Sequence, residues 1–169
     1  MYWAHAKRLQ STGKTTLQCA VRHITAILWE KTSLTDASTA IHAKIQIKSA
    51  VPTFLVPDVA GTARWYAEHL GFRTAGTFPK QEPYVYASLQ RDAAEIMLLS
   101  LPDYEKPDLS ARRPEGLWDA YMRMQGVHTL YDAVRGEDFV QMPIKRQPYG
   151  DWEFEVRDPN GYVLVFGGE

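Results

Sequence analysis

The chain has 169 residues, 45% hydrophobic and 12% aromatic, and its 19 basic and 20 acidic side chains leave a formal charge of −1. That is material for one domain with a sizeable core, and the near-zero charge gives no sign of a nucleic-acid groove or a membrane-surface patch. The lone Cys19 excludes an intrachain disulfide and a Cys-rich zinc ribbon, and no apolar run approaches the ~20 residues that cross a bilayer. These features point to a cytoplasmic protein with no nucleic-acid and no membrane partner.

The charge is unevenly placed. Residues 1–45 carry six Lys/Arg and two acids, a net of +4, while the remaining 124 residues carry thirteen and eighteen, a net of −5. The chain therefore divides into a basic N-terminal segment, 1–45, and an acidic domain, 46–169. Within the first, Leu17, Ala20, Val21, Ile24, Ile27 and Leu28 recur at helical spacing and predict one amphipathic helix over Thr16–Lys31. Its composition fits an accessory helix, a targeting segment, or an extension from an upstream start. The stretch Ser11-Thr12-Gly13-Lys14-Thr15-Thr16 is not a phosphate loop, because the first glycine of that motif is replaced by Arg8 and no strand precedes it.

In the acidic domain, Val51–Val56 reads as a strand that Pro52 confines to its start or to a sheet edge. Asp58 stands at the N-cap of a helix whose face is Val59, Ala63, Tyr66 and Leu70, and Gly71 ends it. Strands are predicted at Phe72–Phe78, Tyr84–Gln90 and Glu95–Leu99. After a polar, Pro-bearing stretch (Leu101–Glu115) the order returns. Trp118–Met124 is a strand, Val127, Leu130, Tyr131 and Val134 make a helix face, and Val140–Lys145, Trp152–Val156 and Val163–Phe166 are strands. The last two are joined by Asp158-Pro159-Asn160-Gly161, a turn sequence in which Asn-Gly accommodates positive φ. The residues preceding the two helices, Asp58 and Gly126, are 68 positions apart. The fold class is α+β: two tandem βαβββ modules forming a cupped mixed sheet with helices outside, preceded by the basic N-terminal helical segment.

Leu55-Val56-Pro57-Asp58-Val59, Trp65-Tyr66 and Leu70-Gly71-Phe72 resemble the first module of the vicinal oxygen chelate superfamily, which includes glyoxalase I, extradiol dioxygenases and bleomycin-resistance proteins. Pro148–Phe154, followed by Arg157-Asp158-Pro159-Asn160-Gly161 and Val165-Phe166-Gly167, resembles its closing hairpin, and is most similar to the bleomycin-resistance-like branch. The resemblance spans about residues 50–169. It implies a homodimer whose paired modules share their cups.

The resemblance also implies four metal-ligand positions, on the first and last strand of each module. Here they fall on Val51, Asp119, Glu95 (or Met97, on the same face) and Val165, and valine offers no lone pair. The expectation is a cup without a metal or other cofactor. The alternative is a metal-dependent lyase or dioxygenase in which Glu95 and Asp119 hold a hydrated Mg²⁺ or Mn²⁺ weakly. None of the five histidines forms a ligand pair.

Alternation divides the first strand of the second module into a polar side, Leu117, Asp119, Tyr121 and Arg123, and an apolar side, Trp118, Ala120, Met122 and Met124. The apolar side is expected to pack on helices, with Trp118 in the core. The polar side is expected to face the cup. The candidate ligand-binding residues are Asp119, Tyr121, Arg123, Glu95, Met97 and Trp152, with the sidedness of the Trp152 strand open and Tyr84, Tyr86 and Tyr149 as rim aromatics. An acidic domain with aromatic faces suits a flat or cationic ligand, and the resemblance to bleomycin-resistance proteins implies that such a ligand is one like a glycopeptide antibiotic, held without turnover.

Overall fold

The computed structural model describes residues 45–113 and 116–169. The expected helix over Thr16–Lys31, together with Cys19, His5, His23 and His42, lies outside them. The first module runs β1 (Thr53–Val56), α1 (Val59–Leu70), β2 (Arg73–Phe78), β3 (Tyr86–Arg91) and β4 (Ala94–Ser100). The second runs β5 (Ala120–Arg123), α2 (Val127–Val134), β6 (Val140–Arg146), β7 (Trp152–Arg157) and β8 (Val163–Gly168). The doubled βαβββ order is the one the sequence predicts.

Local chemistry sets the helix ends. The Asp58 carboxylate accepts the Gly61 N–H at 2.9 Å, a cap of the kind that stabilises a helix by about 1 kcal/mol. Gly71 adopts φ 67°, which turns its N–H back to the Tyr66 carbonyl and stops the helix. Each module folds its strands into one four-stranded sheet, in the orders β1-β4-β3-β2 and β5-β8-β7-β6. The pairs β1–β4 and β5–β8 are parallel and the rest antiparallel. The described strands thus form two separate four-stranded sheets with no ladder between them, where the sequence predicted one cupped sheet.

One core runs through both modules. Phe54, Val56, Leu89, Ile96 and Leu98 from the first sheet join Phe154, Val156, Leu164 and Phe166 from the second, with Tyr66, Leu70, Val127 and Leu130 from the helices. The turn between β7 and β8 docks on the first module. Asp158 folds that turn by accepting the N–H groups of Asn160 (2.9 Å) and Tyr162 (2.8 Å), and it also accepts the Tyr66 hydroxyl at 3.1 Å. Asn160 donates to Thr62, and the Tyr162 ring stacks on Phe54 at 4.0 Å while its hydroxyl bonds both backbone groups of Leu55. Burial raises the Asp158 carboxyl above its ordinary range, against the pull of these N–H donors. The Asp-Pro-Asn-Gly sequence is therefore a clasp between modules as well as a turn.

Two expectations are corrected. Trp118 is 45% exposed and not in the core, because β5 starts two residues later, where its parallel pairing with β8 begins at Ala120–Leu164. Outside that ladder the strand alternation does not apply, and only Ala120, Met122 and Met124 pack on the core. Tyr84 packs against the core as well, so it is not a rim aromatic. His69 is half-buried between Trp65 and Phe139, a loop residue of the second module that covers the end of α1.

Candidate functional site

The open face of the second sheet carries the densest polar chemistry. Along β7, Phe154 and Val156 enter the core and Trp152 packs against it, the Trp152 ring resting edge-on near His128 of α2 at 4.8 Å. Strand alternation then turns Glu153, Glu155 and Arg157 to the open face of the sheet. The sequence reading left the sidedness of this strand open; Trp152 lies on its helix side and these three residues on its open side. The strict Trp-Glu-Phe-Glu-Val-Arg alternation was the available signal for them.

Glu153 is 0% exposed although it sits on the open face, because two phenols cover it. Tyr121 donates its hydroxyl to Glu153 Oε1 at 2.7 Å, and Tyr149, from the turn before β7, donates to the same oxygen. Burial and then the Glu153 carboxylate raise the Tyr121 hydroxyl well above its ordinary range, and the bond to Glu153 pushes Tyr149 up to about 12. Both phenols are therefore protonated donors at neutral pH. Gly167, beside Tyr121 on β8, is what lets the ring lie flat, since a β-carbon there would collide with the Tyr121 hydroxyl and press on Glu153. Arg123 reaches Asp151 at 3.4 Å, with its guanidinium carbon 5.6 Å from the Tyr121 ring centre.

The segment linking the modules lies over the other end of this sheet. Trp118 donates its indole N–H to Glu155 at 3.0 Å, with its ring 6.2 Å from that of Tyr121. Lys106 pairs with Asp119 at 3.2 Å, and Asp108 comes within 3.8 Å of Arg157. The Ser110 N–H holds the Asp108 carboxyl below its ordinary range. Between segment and sheet is a cavity of about 190 Å³ bounded by Lys106, Arg113, Gln141, Glu155, Arg157 and Val163, among others.

The predicted residues thus separate. Asp119, Tyr121 and Arg123 share the second sheet's open side, while Trp152 is turned to the helices. Glu95 and Met97 lie on the open face of the first sheet, opposite to the core residues Ile96 and Leu98, and Glu95 accepts the Ser88 hydroxyl at 2.8 Å. As a divalent-metal centre the donor set fits poorly. Val51 and Val165 contribute nothing, and Asp119 Oδ2 already accepts both Lys106 and the Val163 N–H at 2.8 Å. Among the described residues no three His, Cys, Asp or Glu side chains gather into a metal-holding group.

Comparison with known proteins agrees with this architecture. The chain is similar to TioX from Micromonospora sp. ML1, with 16% identity over 72% of this chain and 98% of that one and a TM-score of 0.57. It is similar to a bleomycin resistance determinant encoded on the transposon Tn5, with 18% identity over 73% and 98% of the two chains and a TM-score of 0.54. A third similar structure is the bleomycin-binding protein from Streptomyces verticillus complexed with copper(II)-bleomycin, with 21% identity over 74% and 99% and a TM-score of 0.52. No curated protein sequence matches. Residues 46–166 match the model of the Glyoxalase/Bleomycin resistance protein/Dioxygenase superfamily, and the chain belongs to that superfamily.

Proposed function

We propose that this protein is a metal-free binder of a flat or cationic small molecule, acting by sequestration or delivery and not by turnover. The observation that carries it is the second module's open face, where Trp118, Tyr121 and Tyr149 lie beside the Glu155 carboxylate and over the covered Glu153. Aromatic faces next to carboxylates suit a planar cation, each aromatic contact being worth about 0.5–2 kcal/mol. The bleomycin-binding relatives favour a ligand of this kind, a glycopeptide antibiotic included. The donor set supports the absence of a metal, because aliphatic side chains occupy two of its four positions and a lysine and a backbone N–H engage a third.

The same resemblance favours a homodimer that completes the cups. Among the described residues no helix is long and apolar enough to cross a membrane, which is consistent with a cytoplasmic location. The experiment is a fluorescence titration of the full-length protein with bleomycin and with proflavine, a planar heteroaromatic cation, in wild type and in Glu155→Gln. Saturable binding that weakens in the variant supports the proposal. Absence of binding by either cation, or identical affinity in both proteins, overturns it.

A further inference from the structure

We infer that the cavity beside the β3–β4 turn binds a small neutral phenol, with its ring against Met122 and its hydroxyl on the backbone of Arg123. The site is on the core side of β5, where Met122 and Met124 pack, and so is independent of the cation-binding proposal for the open face. The inference starts from the repeat. The offset of 68 residues between the helix starts also carries one sheet onto the other, since the paired residues Phe54 and Leu98 fall on the paired residues Met122 and Phe166. Tyr162 then falls on Ala94, so a phenol in one module is a methyl group in the other.

The difference follows from turn length. Five residues join β7 to β8, and the last of them, Tyr162, crosses to the first module. Its ring stacks on Phe54 at 4.0 Å, and its hydroxyl accepts the Leu55 N–H at 2.9 Å and donates to the Leu55 carbonyl at 3.0 Å. Only Asp92 and Ala93 join β3 to β4. Where the second ring would lie, the structure has a cavity of about 380 Å³, lined by Ala94 and Met122 with Phe72, Leu130 and Phe166 as further apolar walls. Small-molecule sites span about 300–1,000 Å³.

The strand edges correspond as well. β1 and β5 each lie at the edge of a sheet. In a parallel ladder, alternate residues turn their N–H and C=O to the partner strand and those between turn them outward. The Pro52 and Val56 carbonyls accept from β4, which leaves Leu55 outward for Tyr162. The Met124 N–H donates to Gly167, which leaves Arg123 outward in the same way, and among the described residues no side chain takes its N–H or C=O. Met122, Arg123 and Met124 all line the cavity although their side chains alternate between faces, so it runs along this edge. One hydroxyl can serve that adjacent donor and acceptor, as Tyr162 does. Two of the three charged rim groups are engaged, Arg91 with the Leu70 carbonyl and Arg123 with Asp151, which favours a neutral ligand.

The test is calorimetric titration of the full-length protein with p-cresol, which reproduces the tyrosine side chain, and with toluene, which lacks the hydroxyl. The proteins are wild type, Ala94→Tyr and Ala94→Leu. The expected result is one saturable p-cresol site per chain, with toluene about tenfold weaker for the loss of the two hydrogen bonds. Ala94→Tyr should weaken p-cresol at least tenfold, because the side chain introduced there takes the ligand's place. Ala94→Leu fills less of the cavity and should also weaken it, which keeps the test decisive if the tyrosine variant does not fold. No saturable binding of p-cresol, equal affinity for toluene, or unchanged affinity in the folded Ala94 variants overturns the inference.

Discussion

Removing the Tyr121 hydroxyl tests the chemistry on which the cup is built. In Tyr121→Phe the ring stays over Gly167, but Glu153 keeps only the Tyr149 donor. A hydrogen bond to a charged group contributes about 1.5–3 kcal/mol, and the surviving donor places the loss near the lower end, about 1.5 kcal/mol. At about 4 °C per kcal/mol for a domain of this size, the melting midpoint should fall by roughly 6 °C. Removing Tyr149's hydroxyl as well leaves a fully buried carboxylate without a donor, so Tyr121→Phe/Tyr149→Phe should cost at least ~0.5 kcal/mol more than the two single changes added together. Urea unfolding of the four proteins gives all the terms of this cycle. A Tyr121→Phe variant as stable as wild type, with strict additivity in the double variant, would refute the argument that the phenols hold Glu153.

Trp118→Ala should cost below about 1 kcal/mol in stability, because the ring is half-exposed, where a fully buried tryptophan would cost about 3–5; the melting midpoint decides between them. The turn after β7 gives a pH prediction. The folded Asp158 carboxyl is raised above its ordinary 3.8, so its contribution is present below that value and is lost as pH rises through the folded value. Asp158→Asn keeps an acceptor for the turn N–H groups and removes the ionisation, so wild type should lose stability relative to it from acid pH toward neutrality, as read from paired urea midpoints. At the alkaline end, Tyr149 is raised from 10.0 to about 12, so its contribution is intact below the ordinary value and is lost as pH rises through the folded one. Tyr149→Phe should flatten the decline in melting midpoint across that window.

What was legible in the sequence was what neighbours in the chain decide. Asp58 and Gly71 set the ends of α1 through groups three to five residues away, and the helix faces follow from period alone. Ala120 and Met122 were placed on the helix side correctly by alternation within β5. Trp118 was misplaced because the start of that strand depends on where β8 offers a partner, more than forty residues downstream. The site was less legible for the same reason. Lys106 and Asp108 lie in a Pro-bearing stretch whose role depends on Asp119 and Arg157, and nothing local reports that pairing. Glu153 and Glu155 were within reach of the alternation rule. They were not singled out because Trp152 suits either face of the strand, and only the packing of Phe154 and Val156 settles which side is open.

The central claim is that this cup works without a metal ion, and metal stoichiometry tests it most directly. Full-length protein is incubated separately with Mn²⁺, Zn²⁺, Fe²⁺ and Ni²⁺, desalted without chelator, and analysed for each element. The account predicts no retained ion, and an identical result for a variant carrying Glu95→Gln and Asp119→Asn. One ion per chain in the wild type, lost in that variant, would contradict it and make those two carboxylates the ligands.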